Sequence, residues 1–348
     1  LRRYNLCQWK GLMKLKMKNT ILTEDTELLD ETGQVLSPGF ARRPLWNYDR
    51  SRIHAPGFRI KEWDYYLVMT DEFAAAFTIS DLGYLRMASV SFLDFEKGTD
   101  HTRTLLKPAG APFMQENVIV WTGKDMMLRF TSEGDRHHVW CWWKQFGRGS
   151  DFRADLTFLE EPRESMNIVT PWPDRRKFYY NTKINCMPVT GTIVHDWHVK
   201  RLDADTDSGI LDRGRGVWPY RIHWLWGTCS TQVNGIPFGF SIGYGFGDTS
   251  AASENVIFYD GAVHKLDDIT LEIPQNPMLP WTVSSSDGRF EAVFTPELDR
   301  TAHINALLIE SDQHQYFGRI TGVVILDNGR QIEMRDLRCA IEDIRNRY

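Results

Sequence analysis

Short runs of β-branched and aromatic residues, punctuated by turn dipeptides, dominate the chain. In the C-terminal half, Asn234-Gly235, Asp260-Gly261, Asp287-Gly288 and Asn328-Gly329 each sit between short apolar or alternating runs. Asn-Gly and Asp-Gly supply the positive φ angles of a type I′ turn, so these positions predict hairpins and up-and-down strands. The last one predicts a hairpin of Thr321 to Ile325 with Gln331 to Met334. The N-terminal half has fewer ideal turns. There YYLVMT (65–70), MASVSFLDF (87–95), NVIVWTG (117–123), MMLRFTS (126–132) and HHVWCWW (137–143) have the length and composition of strands, with Glu133-Gly134-Asp135 as a turn between two of them. Helix is expected to be scarce. At the tail, Leu337, Ala340, Ile341 and Ile344 recur at i, i+3, i+4 and i+7, which fits a short closing helix or a final strand running to about Ala340.

Many short antiparallel strands must close on themselves or pack face to face, because open edges invite aggregation. The 348 residues allow two domains or one large β assembly. Pro171, Pro173 and Asp174-Arg175-Arg176 interrupt the strand pattern near 165–190, which divides the chain into an extension (1–20), an N-terminal domain (21–175) and a C-terminal domain (176–348). The basic run at 1–20 lacks the continuous apolar core of a signal peptide. With Met13 and Met17 inside it, it reads as a disordered extension or an over-long start. No run of 18 apolar residues occurs, so no integral membrane segment is expected and a cytoplasmic location is the default. A net charge of -5 argues against a nucleic-acid partner, and five scattered cysteines without a Cys-x-x-Cys pair argue against a disulfide framework or thiolate zinc site. Nothing in the sequence sets the oligomeric state.

The segment DRGRGVWPYRIHWLW (212–226) is the most unusual stretch. Asp212 serves as a general acid or base if apolar surroundings raise its pKa; alternatively it pairs with Arg213, Arg215 or Arg221 in a structural ion cluster. Gly214 and Gly216 bracket Arg215, as where backbone comes close to a ligand or a neighbouring strand. Strict alternation places Trp218, Tyr220, Ile222, Trp224 and Trp226 on one face, as a pocket wall or as ordinary core, with Arg221, His223 and Leu225 on the other. Glu254 and Asn255 follow a Gly/Ser/Thr-rich turn and open an apolar strand, where a carboxylate can be presented at a barrel mouth; the plainer reading is a hydrogen-bonding pair at a strand end.

Metal binding is not expected. His137 and His138 are adjacent and point to opposite faces of a strand, and His195 and His198 do the same if theirs is regular. GYGFG (243–247) lacks the Lys-Ser/Thr ending of a phosphate loop, and no Gly-x-Ser-x-Gly elbow occurs. No cofactor is expected.

The ordered motifs ESMNIVTPW (164–172), NTKINCMPVTGTI (181–193), DRGRGVWPYRIHWLW (212–226), SENVIFYDGAVHKL (253–266), FTPELDR (294–300) and HQYFGRITG (314–322) resemble the domain of unknown function 2804 family, from about residue 20 to the end. Their place in these motifs makes His264 and Gln315, with Arg300 and His314, further candidates. More distantly, 181–226 resembles the carotenoid-hydratase-like proteins, some of which add water to, or cyclise, polyene-type substrates. That resemblance implies two tandem antiparallel lipocalin-like (calycin) barrels. Their matching segment commonly reads Trp-Met-Asp-His/Arg-Glu-Trp-Gly; here it reads Ile210-Leu211-Asp212-Arg213-Gly214-Arg215-Gly216. Asp212 matches the Asp, while the following His or Glu is not reproduced.

Three functions follow from different classes. The first is a cofactor-independent enzyme, a lyase or isomerase acting on an apolar or amphipathic small molecule. It would use Asp212, Tyr220 and Glu254 for acid/base chemistry and Arg213, Arg215, Trp218, Arg221, Trp224, Trp226, Asn255, His264 and Gln315 for the ligand. The second is a non-catalytic lipocalin-like binder or carrier. The third is a carbohydrate-active protein using Asp212 and Glu254, which a carboxylate separation well beyond about 10 Å would count against.

Overall fold

The computed structural model describes residues 19–110, 113–115, 117–159, 164–306 and 309–347. The expected extension lies outside the described residues as far as residue 18. The described chain is 65% strand and 2% helix, in two curled antiparallel half-barrel sheets consistent with tandem lipocalin-like barrels. Its only described helices are single 3-10 turns, Arg50–Arg52 and Gly57–Arg59.

The first sheet has 13 strands and runs from the edge Thr99–Pro108 through Leu85–Asp94, Phe73–Asp81, Ile60–Met69, Ser208–Val217, Phe178–His195 and Phe152–Leu159 to the edge Val118–Thr122. The second has nine strands: Arg221–Val233 and Gln331–Arg347 lie side by side at its centre, with Ile309–Ile325 and Phe290–Ala306 beyond them. Hydrogen bonding carries the first sheet past the proline-rich stretch as far as Val217, and the second begins at Arg221.

Each sheet curls around its own core. Tyr66, Phe77, Phe92, Leu128 and Phe158 belong to the first, and Phe240, Trp281, Phe294, Tyr316 and Ile341 to the second. The sheets also pack against each other. Leu67, Met69 and Ile210 of the first meet Trp226, Phe317 and Ala340 of the second in one apolar cluster, and Tyr179 and Ile168 meet Trp218 and Phe246 in another. A strand at this contact is buried on both sides, which explains runs that do not alternate. In Ile60–Met69, Trp63, Leu67 and Met69 face the other sheet, while Tyr66 and Val68 face the barrel interior.

The same double burial corrects the reading of the tail. Leu337, Ala340, Ile341 and Ile344 lie on the strand Gln331–Arg347, not on a helix. Ala340 packs between the sheets and Ile341 inside the second barrel, so adjacent residues are both buried and imitate helical spacing. The turns follow the dipeptides with one refinement. Asn234-Gly235 and Asp260-Gly261 have positive φ at both residues and close two-residue hairpins. At Asp287-Gly288 and Asn328-Gly329 only the glycine is left-handed, within a longer loop. The hairpin expected at 321–334 forms, with Ile325 paired to Gln331.

The two sheets are fastened by a bulge. The pairing of Phe178–His195 with Ser208–Val217 shifts register between Ile184 and Met187, and Cys186 adopts φ 61°. The bulge turns Asn185 out of its own ladder. Its amide donates to Thr228 Oγ1 (2.9 Å), Cys229 O (2.8 Å) and Phe240 O (3.1 Å) of the second sheet, and Cys186 N donates to Ser230 Oγ (2.9 Å). An extra residue in one strand re-aims a side chain in this way. Cys141, Cys186, Cys229 and Cys339 are free and buried, and burial pushes the Cys186 thiol up to about 12.

Candidate active site between the two sheets

Strand register builds the site from two rows of side chains. On the first sheet Lys183 pairs with Asp212, and Asp212 with Tyr65. On the second, Trp226 pairs with Glu342, Glu342 with Gln315, and Gln315 with Arg300. Directly paired residues of antiparallel strands present their side chains on the same face. The rows touch at Gln315 Nε2 and Tyr65 OH (3.3 Å), and at Lys183 Nζ, which lies 4.6 Å from the centre of the Trp226 ring.

Lys183 is the hub. Its ammonium is 3.3 Å from Asp212 Oδ1 and 3.4 Å from Glu254 Oε2, and it donates to Asn181 Oδ1 (3.1 Å) and Tyr179 OH (3.3 Å). Asn181 Nδ2 donates to Asp212 Oδ1 (2.5 Å), and Tyr179 OH to Glu254 Oε2 (3.5 Å). The Lys183 side chain is 2% exposed and that of Asp212 11%, so the aspartate is the more accessible partner. Glu342 accepts from Gln315 Nε2 (2.7 Å) and from the Trp224 side chain.

Three carboxylates, Asp212, Glu254 and Glu342, thus face two cations, Lys183 and Arg300, in a site removed from water. Desolvation penalises ionised carboxylates, and mutual repulsion adds to it. Burial first, then Asp212, pushes Glu342 up to about 7 against the attraction of Arg300 and Lys183. Burial and Asp212 likewise push Glu254 up, opposed by Lys183. The site therefore holds a carboxylic acid that exchanges its proton near neutrality, the property a general acid or base requires.

Aromatic rings stand beside this cluster. Trp63 meets Trp218 edge-on (5.0 Å), Trp218 meets Trp224 (5.9 Å), Trp224 lies 5.1 Å from Phe246, and Phe246 stacks on Tyr179 at 4.1 Å. Trp63 and Trp224 are half-exposed, so the wall reaches solvent. Gly214 makes room for it, since a Cβ there would lie 1.9 Å from the Trp63 ring.

The expected site residues separate into those gathered here and those placed elsewhere. Asp212, Glu254, Trp218, Trp224, Trp226 and Gln315 gather at the contact. Asp212 faces the second sheet rather than a barrel interior, because Ile210 on its side of the strand packs between the sheets while Leu211 packs in the first barrel. Arg213 and Arg215 do not flank it at a rim. They point the opposite way, to Asp64 at 3.0 and 2.7 Å, as residues next to Asp212 on a strand must. Asp212 pairs with Lys183 and not with these arginines.

Tyr220 does not join the cluster. Residues 218–220 are a bend between the two sheets, which breaks the single alternating face, and Tyr220 is exposed, with the Arg59 guanidinium over its ring at 5.9 Å. Trp218 and Trp224 meet through that bend rather than along one strand. Arg221 is exposed. Asn255 serves the plainer role, accepting from Gly243 N (2.7 Å) and donating to Asp267 O (3.0 Å). His264 lies 3.3 Å from Asp327 and His314 2.8 Å from Asp299, outside the two rows.

Sequence reasoning missed Lys183, Tyr179, Asn181, Tyr65 and Glu342. A signal existed for two of them: Lys183 is the one lysine in the apolar run FYYNTKINCM, and Glu342 follows the buried run Cys339-Ala340-Ile341. Among the described residues no group of three or more His, Cys, Asp or Glu is arranged to hold a metal ion. No described helix is long and apolar enough to cross a membrane.

A family model described as a domain of unknown function, DUF2804, matches residues 19–348. No curated protein matches the sequence. Among solved structures, the chain is similar to kievitone hydratase from Nectria haematococca, at 11% identity and a TM-score of 0.49, covering 96% of this chain and 98% of that one. It is similar also to a Nitrosomonas europaea protein provisionally assigned as AttH, at 13% identity and a TM-score of 0.49, covering 90% and 99%.

Proposed function

This chain belongs to the DUF2804 family, and from its geometry we propose that it binds an apolar or amphipathic small molecule against the aromatic wall between its two sheets and moves a proton on it without a cofactor. Trp63, Trp218 and Trp224 hold the ligand, Asp212 meets it as the accessible carboxylate, and Glu342 supplies or receives the proton. Lys183 positions Asp212 and Glu254 and carries the charge that appears when a proton leaves. Hydration, isomerisation and cyclisation all need an acid and a base on one small apolar substrate, and this arrangement supplies both.

The observation that carries the reading is the excess of buried carboxylate around Lys183, with Glu342 raised by burial to about 7. A charge-balanced apolar contact would hold two sheets together at lower cost. The test is to release and identify the ligand of the native protein by mass spectrometry, then incubate it with protein in deuterated, oxygen-18-labelled water. Label entering the ligand with wild type but not with Asp212→Asn, while both bind it equally, is the expected outcome. Equal labelling by both removes Asp212 from the chemistry.

A second reading, a carrier that catalyses nothing, is favoured by the four oxygen partners already around Lys183 Nζ. Under it the ligand leaves unlabelled from both proteins, and Trp224→Ala alone weakens its binding.

A further inference from the structure

A cavity of about 900 Å³ opens at one end of the first barrel, lined by Phe92, His101, Gly147, His195, Trp197 and His198 among others. It is separate from the site between the sheets, since Phe92 belongs to the first-barrel core. Its floor is aromatic: Phe92 stacks on His195 at 4.4 Å, and His101 meets Phe146 edge-on at 4.7 Å. His195 and His198 do not point to opposite faces as a regular strand would require. The two-residue turn Asp196-Trp197 makes them cross-strand partners, so both line the cavity.

Two features of this cavity have no structural use in the fold. His195 Nε2 is buried without a hydrogen-bond partner, and a buried polar atom left unpaired costs about 1–3 kcal/mol. Trp197 sits in the left-handed region at φ 68°, a conformation disfavoured for a bulky side chain, yet its indole is 80% exposed. Asp196, at φ 47°, is held by Arg148 N (3.0 Å) and Ser150 Oγ (2.9 Å), which fixes the turn and keeps the indole at the rim. Glycine is the residue that such a turn position favours. A large exposed ring kept there at a conformational cost, over an aromatic cavity with an unpaired nitrogen, has the parts of a ligand site.

We propose that the mouth of the first barrel is a second binding site, for a neutral ring-bearing molecule that stacks on Trp197 and makes one hydrogen bond to His195 Nε2. The charged groups at the rim are mixed in sign, Asp94, Asp100 and Asp196 against Lys97, Arg148 and Lys200, so they select neither an anion nor a cation. Burial lowers the pKa of His195, which keeps the imidazole neutral and suits an uncharged partner.

N-phenyl-1-naphthylamine is a fitting probe: uncharged, ring-bearing, with one N–H. Its fluorescence titration with the full chain is expected to show saturable binding. His195→Phe, which keeps a ring and removes the nitrogen, is expected to weaken binding about fivefold, the worth of one hydrogen bond. Trp197→Gly is expected to weaken it at least about tenfold while raising the unfolding temperature, because glycine relieves the left-handed turn. Absence of saturable binding overturns the proposal, and so does a probe affinity untouched by both variants. If Trp224→Ala abolishes binding and Trp197→Gly does not, the probe occupies the site between the sheets, which overturns this proposal without touching the reading of that site.

Discussion

The strand Ser208–Val217 carries two buried charge clusters back to back, and they are built on opposite plans. On the face turned into the first barrel, Arg213 and Arg215 grip Asp64 at 3.0 and 2.7 Å, Arg50 pairs with Glu62, and Tyr48 donates to Glu62 at 2.8 Å. Cations match or outnumber carboxylates there. Although burial pushes Asp64 up, the two arginines outweigh it and hold its carboxyl below the ordinary range. On the face turned to the second sheet, the contacts around Lys183 lengthen to 3.3 and 3.4 Å, carboxylates exceed cations, and Glu254 and Glu342 are pushed up. The first arrangement fixes structure. The second leaves a proton free to move, and a mostly structural role would not need that.

The largest expected effect comes from breaking the balanced side. Asp64→Asn leaves Arg213 and Arg215 buried without their counter-charge and is expected to cost about 3–5 kcal/mol of unfolding free energy, read by denaturant titration. Lys183→Met attacks the other side, and its effect depends on pH. It is expected to cost about 3 kcal/mol at pH 8, where three carboxylates face Arg300 alone, and markedly less at pH 5, where Glu342 is protonated. A loss independent of pH would mean that Lys183 matters as packing.

Glu342→Gln is expected to have the opposite sign. Its folded pKa, about 7, lies above the ordinary 4.5, so the native state holds a proton that the unfolded chain has released. This group's contribution is fully present below pH 4.5 and declines as pH rises through about 7. Removing it is expected to flatten that decline and leave the variant more stable than wild type at pH 8, by on the order of 1–3 kcal/mol. A variant with the wild-type pH profile would show that Glu342 titrates normally. The smallest expected effect is that of Gly214→Ala, whose Cβ would strike the Trp63 ring. About 1–2 kcal/mol of stability and a weaker ligand affinity are expected, as the aromatic wall shifts.

The balanced and unbalanced clusters also mark how far the sequence could be read. Hairpins at Asn234-Gly235 and Asp260-Gly261 were legible because two residues dictate the backbone locally. The tail was not, because Ala340 and Ile341 are buried by different partners, one of them the other sheet. Asp212 and the tryptophans were legible as an unusual composition, and Arg213 and Arg215 were assigned to the same rim although adjacent strand residues face apart. Lys183, Tyr65 and Glu342 were not legible because the site is made by register. Residues some 120 to 160 positions apart in the sequence are aligned into rows by strand pairing, which no local pattern encodes.

The central claim is that the face of Asp212 is chemical while the face of Asp64 is structural. Measuring unfolding free energy and label incorporation into the released ligand for Asp212→Asn beside Asp64→Asn tests it directly. Asp212→Asn is predicted to stay within about 1 kcal/mol of wild type, because it removes one carboxylate from a site with an excess, and to lose labelling entirely. An Asp212→Asn protein that labels its ligand as fast as wild type, or that unfolds as readily as Asp64→Asn, would contradict the account.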